Sequence, residues 1–201
     1  MLYFPQYERQ EILPFGGEAV YYPLFFGEEE SHNFYDLLTK GIAWKQEPIW
    51  MFGKQVMQPR LTALYGNPSI SYGYSGIRMQ ALGWTDFLLE IKKRVEEASQ
   101  TEFTHVLLNY YRNGQDSMGW HRDNEPELGP NPIIASVSFG APREFQFRLY
   151  SNKNTKRKII LENGSLLIMG GESQHAWEHQ LPKRSGIHEA RINLTFRRII
   201  H

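Results

Sequence analysis

Beyond residue 104 the hydrophobic pattern of this chain changes to a period of two, and that change restricts the fold more than any other feature. A period of two marks a strand with one face buried, because successive side chains point to opposite sides of a sheet. His105-Val-Leu-Leu-Asn-Tyr-Tyr111 alternates and runs into the turn pair Asn113-Gly114. Residues 133–140 form a strongly apolar strand, and residues 143–149 set Phe145, Phe147 and Leu149 on one face. Residues 158–161 and 165–169 flank Asn163-Gly164, and residues 191–200 alternate again. Asn-Gly favours tight hairpin turns because both residues tolerate positive φ, so both pairs read as hairpin signals. Residues 151–158 are a polar, basic excursion between strands, with Lys153, Lys156, Arg157 and Lys158. Short strands at regular spacing predict a sandwich or jelly roll over about 104–201.

Helices precede it. Residues 31–40 place Phe34, Leu37 and Leu38 on one helical face. Residues 85–99 are the best helix: Thr85 caps it, Leu88, Ile91 and Val95 form its buried stripe, Trp84 and Leu89 form a staple, and Glu90 pairs with Arg94. Residues 46–83, rich in Gly, Pro, Tyr and Gln, read as strands and loops. The class is therefore α+β. A length of 201 residues with 41% apolar side chains predicts one domain with a sizeable core. No apolar run is long enough to span a membrane, and residues 1–10, with Glu8 and Arg9, predict no secretory leader.

The absence of cysteine removes disulfides, zinc-thiolate sites, iron–sulfur clusters and a thiol nucleophile, so any metal must sit on His, Asp and Glu. Net charge is zero, which argues against a protein that coats nucleic acid nonspecifically, although the last 51 residues carry nine basic and four acidic side chains. His121 and Asp123 share one side of a strand and can hold one ion together. A third ligand has three candidates downstream: His175, His179 and His188. Two His and one carboxylate leave coordination positions open, which suits iron(II) and O2. His175 and His179 also have the spacing of a helical zinc pair, but Gly170-Gly171 and the nearby strands disfavour a helix there, and His175 reads as a loop residue. On the strand from residue 191, Arg191, Asn193, Thr195 and Arg197 share one face, and Ile192, Leu194 and Phe196 the other. Two guanidiniums on that polar face suit an anion pocket or a solvated face. Asn109 and Tyr111 project together from the strand at 105–111 as further hydrogen-bonding groups.

In their order and spacing, Asn109-Tyr-Tyr111, His121-x-Asp123, Pro132-Ile-Ile-Ala-Ser-Val-Ser-Phe-Gly140, Trp177-Glu-His179 and Arg191-x-Asn-x-Thr-x-Arg197 resemble the AlkB family of iron(II)- and 2-oxoglutarate-dependent nucleic-acid dealkylating dioxygenases, over about residues 48–200. The resemblance implies a double-stranded β-helix with N-terminal helices and a nucleotide-recognition lid at about 46–83. It makes His121, Asp123 and His179 the iron ligands, His179 being chosen by the Trp177-x-His179-x-x-Pro182 pattern. It assigns Arg191 and Arg197 to the two carboxylates of 2-oxoglutarate, with Asn109, Tyr111, Asn193 and Thr195 completing the hydrogen bonds. The implied reaction uses O2 to demethylate N-alkylated bases, releasing formaldehyde, succinate and CO2.

Substrate recognition would fall to the lid. Tyr72-Gly-Tyr-Ser-Gly76 resembles the family segment in which Tyr74 stacks on a flipped-out base and Tyr72 supports it. Asn124 and Glu125 match positions at the base edge, and Phe52-Gly53-Lys54 resembles the finger hairpin whose apolar wedge fills the gap in a duplex. Gly73 departs from the family's Thr, Leu64 from its aromatic residue, and residues 1–45 carry no family motif. The implied substrate is DNA, single- or double-stranded, or RNA, acted on by a monomer in the cytoplasm or nucleus. The rivals are a related dioxygenase acting on tRNA or protein, a zinc-dependent hydrolase and a noncatalytic jelly-roll binding module. Paired guanidiniums disfavour the hydrolase, which needs no dicarboxylate.

Overall fold

The computed structural model describes residues 9–51, 54–69, 71–74 and 77–200. In chain order the elements are β1 (Gln10–Glu11), β2 (Glu18–Tyr22), α1 (Glu28–Gly41), β3 (Pro48–Met51), β4 (Lys54–Met57), β5 (Leu61–Gly66), β6 (Ser71–Tyr74), β7 (Ile77–Gln80) and α2 (Asp86–Ser99). Then follow β8 (His105–Tyr111), β9 (Met118–His121), a 3-10 turn (Pro126–Leu128), β10 (Ile134–Gly140), β11 (Arg143–Leu149), β12 (Lys156–Leu161), β13 (Ser165–Gly170), α3 (Ser173–Ala176), β14 (Trp177–Leu181) and β15 (Arg191–Arg197).

Seven strands form a large antiparallel sheet in the order β1-β2-β13-β10-β15-β8-β5, and four form a small one, β12-β11-β14-β9. From β8 onward the chain passes back and forth between the two sheets, the winding of a jelly roll. Alternation along the large sheet builds two cores. Val106, Leu108, Val137, Phe139, Leu194 and Phe196 face α1 and α2, which contribute Phe34, Leu38, Leu88, Ile91 and Val95. The opposite face, with Leu107, Ile134, Leu167 and Met169, packs on Phe147, Leu161 and Trp177 of the small sheet. The polar face of β15 therefore points into the sandwich, not into solvent. Among the described residues no helix is long and apolar enough to cross a membrane.

Several local expectations change in the structure. Neither Asn-Gly pair makes a hairpin: β8 and β9 lie in different sheets, as do β12 and β13, so both pairs turn corners between sheets. Gly164 has φ +74° and stands beside Phe26, while Gly114 packs so closely on Arg184 that a Cβ would lie 1.7 Å from its carbonyl oxygen. The first helix starts three residues earlier than predicted, at Glu28, and β12 begins at Lys156, inside the expected polar excursion. Thr85 does cap α2, accepting the Leu88 N–H at 3.4 Å. Leu89, however, is exposed, so no staple closes over it; Trp84 packs on the core beneath Lys92. Arg94 reaches past Glu90 to pair with Glu30, donate to the Phe25 carbonyl and lie over the Phe26 ring, three partners that a neighbour on its own helix cannot supply. The pair within α2 is Lys92–Glu96.

Within residues 46–83, the hairpins β3–β4 and β6–β7 stand apart from the large sheet, whereas β5 between them pairs with β8 at its edge. Leu64 is thus buried in the core between the sheets, not in a lid. The N-terminal β2, which had no sequence signature, pairs with β13.

Candidate active site

β14 pairs with β9 so that His179 stands opposite His121, their ring centroids 4.2 Å apart. β9 ends at His121, so Asp123 sits just past the strand and not on it, contrary to the sequence expectation. Its carboxylate still reaches the pair: one ligand atom from each of His121, Asp123 and His179 lies within 4.8 Å of the others. Asp123 Oδ2 is 4.0 Å from His179 Nε2. His121 Nδ1 lies 2.8 Å from the Gly119 carbonyl, which can only accept, so Nδ1 carries the proton and Nε2 is left to ligate.

Burial keeps both imidazoles neutral. It lowers His179 to about 3, helped by His121 and opposed by Asp123, and it lowers His121 as well. Burial pushes the Asp123 carboxyl the other way, but its neighbours, the Arg197 guanidinium foremost, outweigh burial and hold the group at about 2. Two neutral nitrogens and one carboxylate are the protonation states that metal binding requires. His175 is exposed and lies in the single helical turn α3, not in a loop; that turn ends at Ala176, so His175 and His179 do not share a helix. His188 is also exposed, and neither it nor His175 joins the cluster.

The same cavity is walled by β8 and β15. Their register sets Arg191 opposite Tyr111 and Asn193 opposite Asn109. Arg191, Asn193, Thr195 and Arg197 are all buried. Arg197 donates to Asp123 Oδ1 at 2.9 Å. Arg191 donates to Ser138 Oγ at 2.8 Å and lies over the Tyr111 ring, while its Nε is buried with no hydrogen-bond partner among the described residues. Burial lowers Arg191 to about 10. Asn193 donates to Ser136 Oγ and the Val137 carbonyl and accepts from Thr195. This is a buried polar surface with a guanidinium that meets no carboxylate among the described residues.

The base-recognition residues are less gathered. Asn124 is exposed, and Glu125 is half-buried with Oε2 lacking a partner among the described residues; burial and then Asp123 raise its carboxyl. Lys54 is exposed on β4. Tyr72 and Tyr74 lie on β6 opposite Met79 and Ile77. Phe52 and Gly53 lie outside the described residues.

Sequence reasoning missed Arg60, Ser136, Ser138 and Gln174. Arg60 is buried and donates to Asn109 Oδ1 at 2.7 Å. Ser136 and Ser138 alternate with Ala135, Val137 and Phe139, so the period of β10 already placed them on the face that β15 shares. Arg60 and Gln174 carry no comparable signal, because their partners lie 49 and 51 residues away.

A jelly roll holding a two-histidine, one-carboxylate cluster beside buried arginines defines a class of metal-dependent oxygenases. The model of the 2OG-Fe(II) oxygenase superfamily matches residues 18–197. Alpha-ketoglutarate-dependent dioxygenase alkB homolog 3 of Homo sapiens is 40% identical over 187 residues, 89% of this chain and 65% of that protein. DNA oxidative demethylase ALKBH2 of Mus musculus is 36% identical over 190 residues, 89% of this chain and 79% of that protein. The solved structure of OsALKBH1 superposes with a TM-score of 0.67 at 18% identity, covering 92% of this chain and 99% of that one, and shares its fold. The chain belongs to the 2OG-Fe(II) oxygenase superfamily and, within it, to the AlkB family. It spans just under two thirds of the length of the alkB homolog 3 proteins, 64% for that of Bos taurus.

Proposed function

We propose that this chain is an iron(II)- and 2-oxoglutarate-dependent dioxygenase that removes N-linked methyl groups from bases of DNA. The observation that carries the proposal is a single cavity in which His121, Asp123 and His179 face the strand bearing Arg191 and Arg197. The residues fit the groups they would hold. Two neutral imidazoles and an ionised carboxylate suit iron(II). The buried Arg191 guanidinium, its Nε without a partner among the described residues, suits a carboxylate, which guanidinium binds as a fork.

On this reading His121, Asp123 and His179 hold the iron, and Arg191 takes the distal carboxylate of 2-oxoglutarate. Arg197 works at the metal-chelating end, where it already fixes Asp123. Asn109, Tyr111, Asn193 and Thr195 supply the remaining hydrogen bonds. Iron and 2-oxoglutarate together supply the oxidation by O2 of an N-methyl C–H bond, with formaldehyde, succinate and CO2 as products. The chain's own contribution is orientation and exclusion of water. Leu107, Phe145 and Leu181 line the cavity and keep it apolar around the ligands. With both imidazoles already neutral, a metal displaces no proton from them near pH 7.

The names of the ALKBH2 relatives support DNA as substrate. Tyr74 would stack on an extruded base with Tyr72 behind it, Asn124 and Glu125 would meet the base edge, and Phe52, flanked by Gly53 and Lys54, would fill the gap in a duplex. RNA is the second nucleic acid the same stacking would accept. The protein would work as a monomer in the compartment that holds its nucleic acid, cytoplasm or nucleus. The test is formaldehyde release from single- and double-stranded methylated oligonucleotides with iron(II), 2-oxoglutarate and ascorbate. No release from any nucleic acid, with 2-oxoglutarate still converted to succinate, would overturn the substrate assignment.

A further inference from the structure

Asp123 leaves the sheet before it reaches the metal cluster. Because β9 stops at His121, no strand of the small sheet takes the Asp123 N–H. That N–H donates instead to Gln174 Oε1 at 3.0 Å. Gln174 is 1% exposed, and its amide nitrogen lies 3.4 Å from Ser173 Oγ and 3.6 Å from Met169 Sδ. A backbone N–H can only donate, so the side-chain oxygen must face Asp123. The turn that carries Gln174 is itself held. Arg122 donates to the His175 carbonyl at 3.2 Å, and Trp177 Nε1 donates to the Phe15 carbonyl at 2.9 Å. Gly17 approaches so closely that a Cβ there would lie 2.1 Å from Ser173 N. Asp123 is thus fixed at two points: its carboxylate by Arg197 from β15, and its backbone by Gln174 from α3.

We infer that Gln174 is a positioning residue of the metal centre: by accepting the Asp123 N–H it fixes the backbone that aims the carboxylate ligand, and so sets metal affinity. The inference rests on reading His121, Asp123 and His179 as a metal site. A buried N–H without an acceptor is unfavourable, so without Gln174 the chain at Asp123 turns to find another partner and carries the carboxylate with it. Groups that orient metal ligands typically change affinity by ~10–100-fold when removed.

The test titrates metal-free protein with cobalt(II), followed by its visible absorption, in the unsubstituted protein, Gln174→Met, Gln174→Glu and Asp123→Ala. Methionine nearly matches glutamine in length but lacks the oxygen acceptor; glutamate keeps it. Gln174→Met should weaken cobalt binding by ~10–100-fold and shift the absorption bands, and Gln174→Glu should restore most of the affinity. A purely structural role would lower the thermal midpoint and leave the affinity and bands of the folded variant unchanged, and that result overturns the inference. Failure of the metal site itself looks different: the unsubstituted protein then binds no cobalt, or Asp123→Ala binds it equally well. If Gln174→Met does not fold, hydrogen exchange at the Asp123 amide of the unsubstituted protein decides. Strong protection supports the bond to Gln174, and exchange at the rate of an exposed amide overturns it.

Discussion

Replacing Arg191 by methionine should weaken the co-substrate without weakening the fold. Arg191 is 2% exposed, and among the described residues its neighbours are a hydroxyl and an aromatic ring with no carboxylate. Burial lowers it from 12.5 to about 10, and at ~1.4 kcal/mol per unit the charge costs the metal- and co-substrate-free protein roughly 3 kcal/mol. Methionine fills similar space without that cost and loses one hydrogen bond to Ser138, worth ~1 kcal/mol. The ligand-free variant should therefore be as stable as the parent, or more so by ~1–2 kcal/mol, a rise of a few degrees in thermal midpoint for a chain of this size. Co-substrate binding moves the other way. Losing a buried, charge-assisted hydrogen bond costs ~2–5 kcal/mol, so affinity for 2-oxoglutarate should fall at least ~30-fold. The assay pairs thermal unfolding of ligand-free protein with calorimetric titration of 2-oxoglutarate in the presence of manganese(II). An affinity unchanged in a folded variant would remove Arg191 from the co-substrate site. Affinity and stability lost together would show that the guanidinium serves the fold.

Three further outcomes are expected. Changing His121, Asp123 or His179 singly to Ala should abolish turnover and weaken metal binding, while His175→Ala leaves both intact; cobalt titration and formaldehyde release check this, and the reverse pattern for His175 and His179 would replace the third ligand. Stability of the metal-free protein should fall as pH drops below ~6.5, because unfolded imidazoles take up protons there while folded His179 stays neutral down to about 3. Asp123, held at about 2, adds a loss in the same direction below the ordinary carboxyl range. Urea midpoints across this range measure both, and His179→Asn should flatten the curve; an unchanged slope would mean the imidazole is not buried neutral. Tyr74→Ala should cost ~1–3 kcal/mol of binding to single- and double-stranded substrates alike, and Phe52→Ala should impair mainly the duplex. Equal losses on both forms for Phe52→Ala would end the wedge assignment.

What could be read from the sequence was set by locality. The alternation 191–197 was legible because one face packs on α1 and α2 and the other is polar, so adjacent residues differ sharply in character. The Asn-Gly pairs gave the turns but not their partners, since turn chemistry acts over four residues and sheet membership does not. β2 went unseen for the same reason: it is five residues long and pairs with β13, more than 140 residues away. β5 looked like part of a lid because its neighbours in sequence are the two hairpins, whereas its pairing partner is β8. Arg94 shows the rule in a helix: spacing suggested Glu90, with which it does not pair, and gave no sign of the distant partners Glu30 and Phe25. The cluster of His121, Asp123 and His179 was anticipated from a three-residue motif and a family pattern. Gln174, which grips that motif from a separate turn, left no local trace.

The charges that line the cavity also limit what can complete it. With both imidazoles neutral, Asp123 and Arg197 cancel, and among the described residues of the wall Arg191 remains as one buried positive charge without a counterion. A divalent metal on the three ligands raises the surplus to three. An anion carrying two carboxylates removes most of it, and a monocarboxylate of similar size would leave a second buried charge uncompensated at low dielectric. Metal and co-substrate should therefore bind with positive coupling, because the dianion is attracted by both Arg191 and the metal. The same reasoning separates the site from a hydrolytic zinc centre, where water is the only further ligand needed and a buried guanidinium facing the metal would merely disfavour the cation.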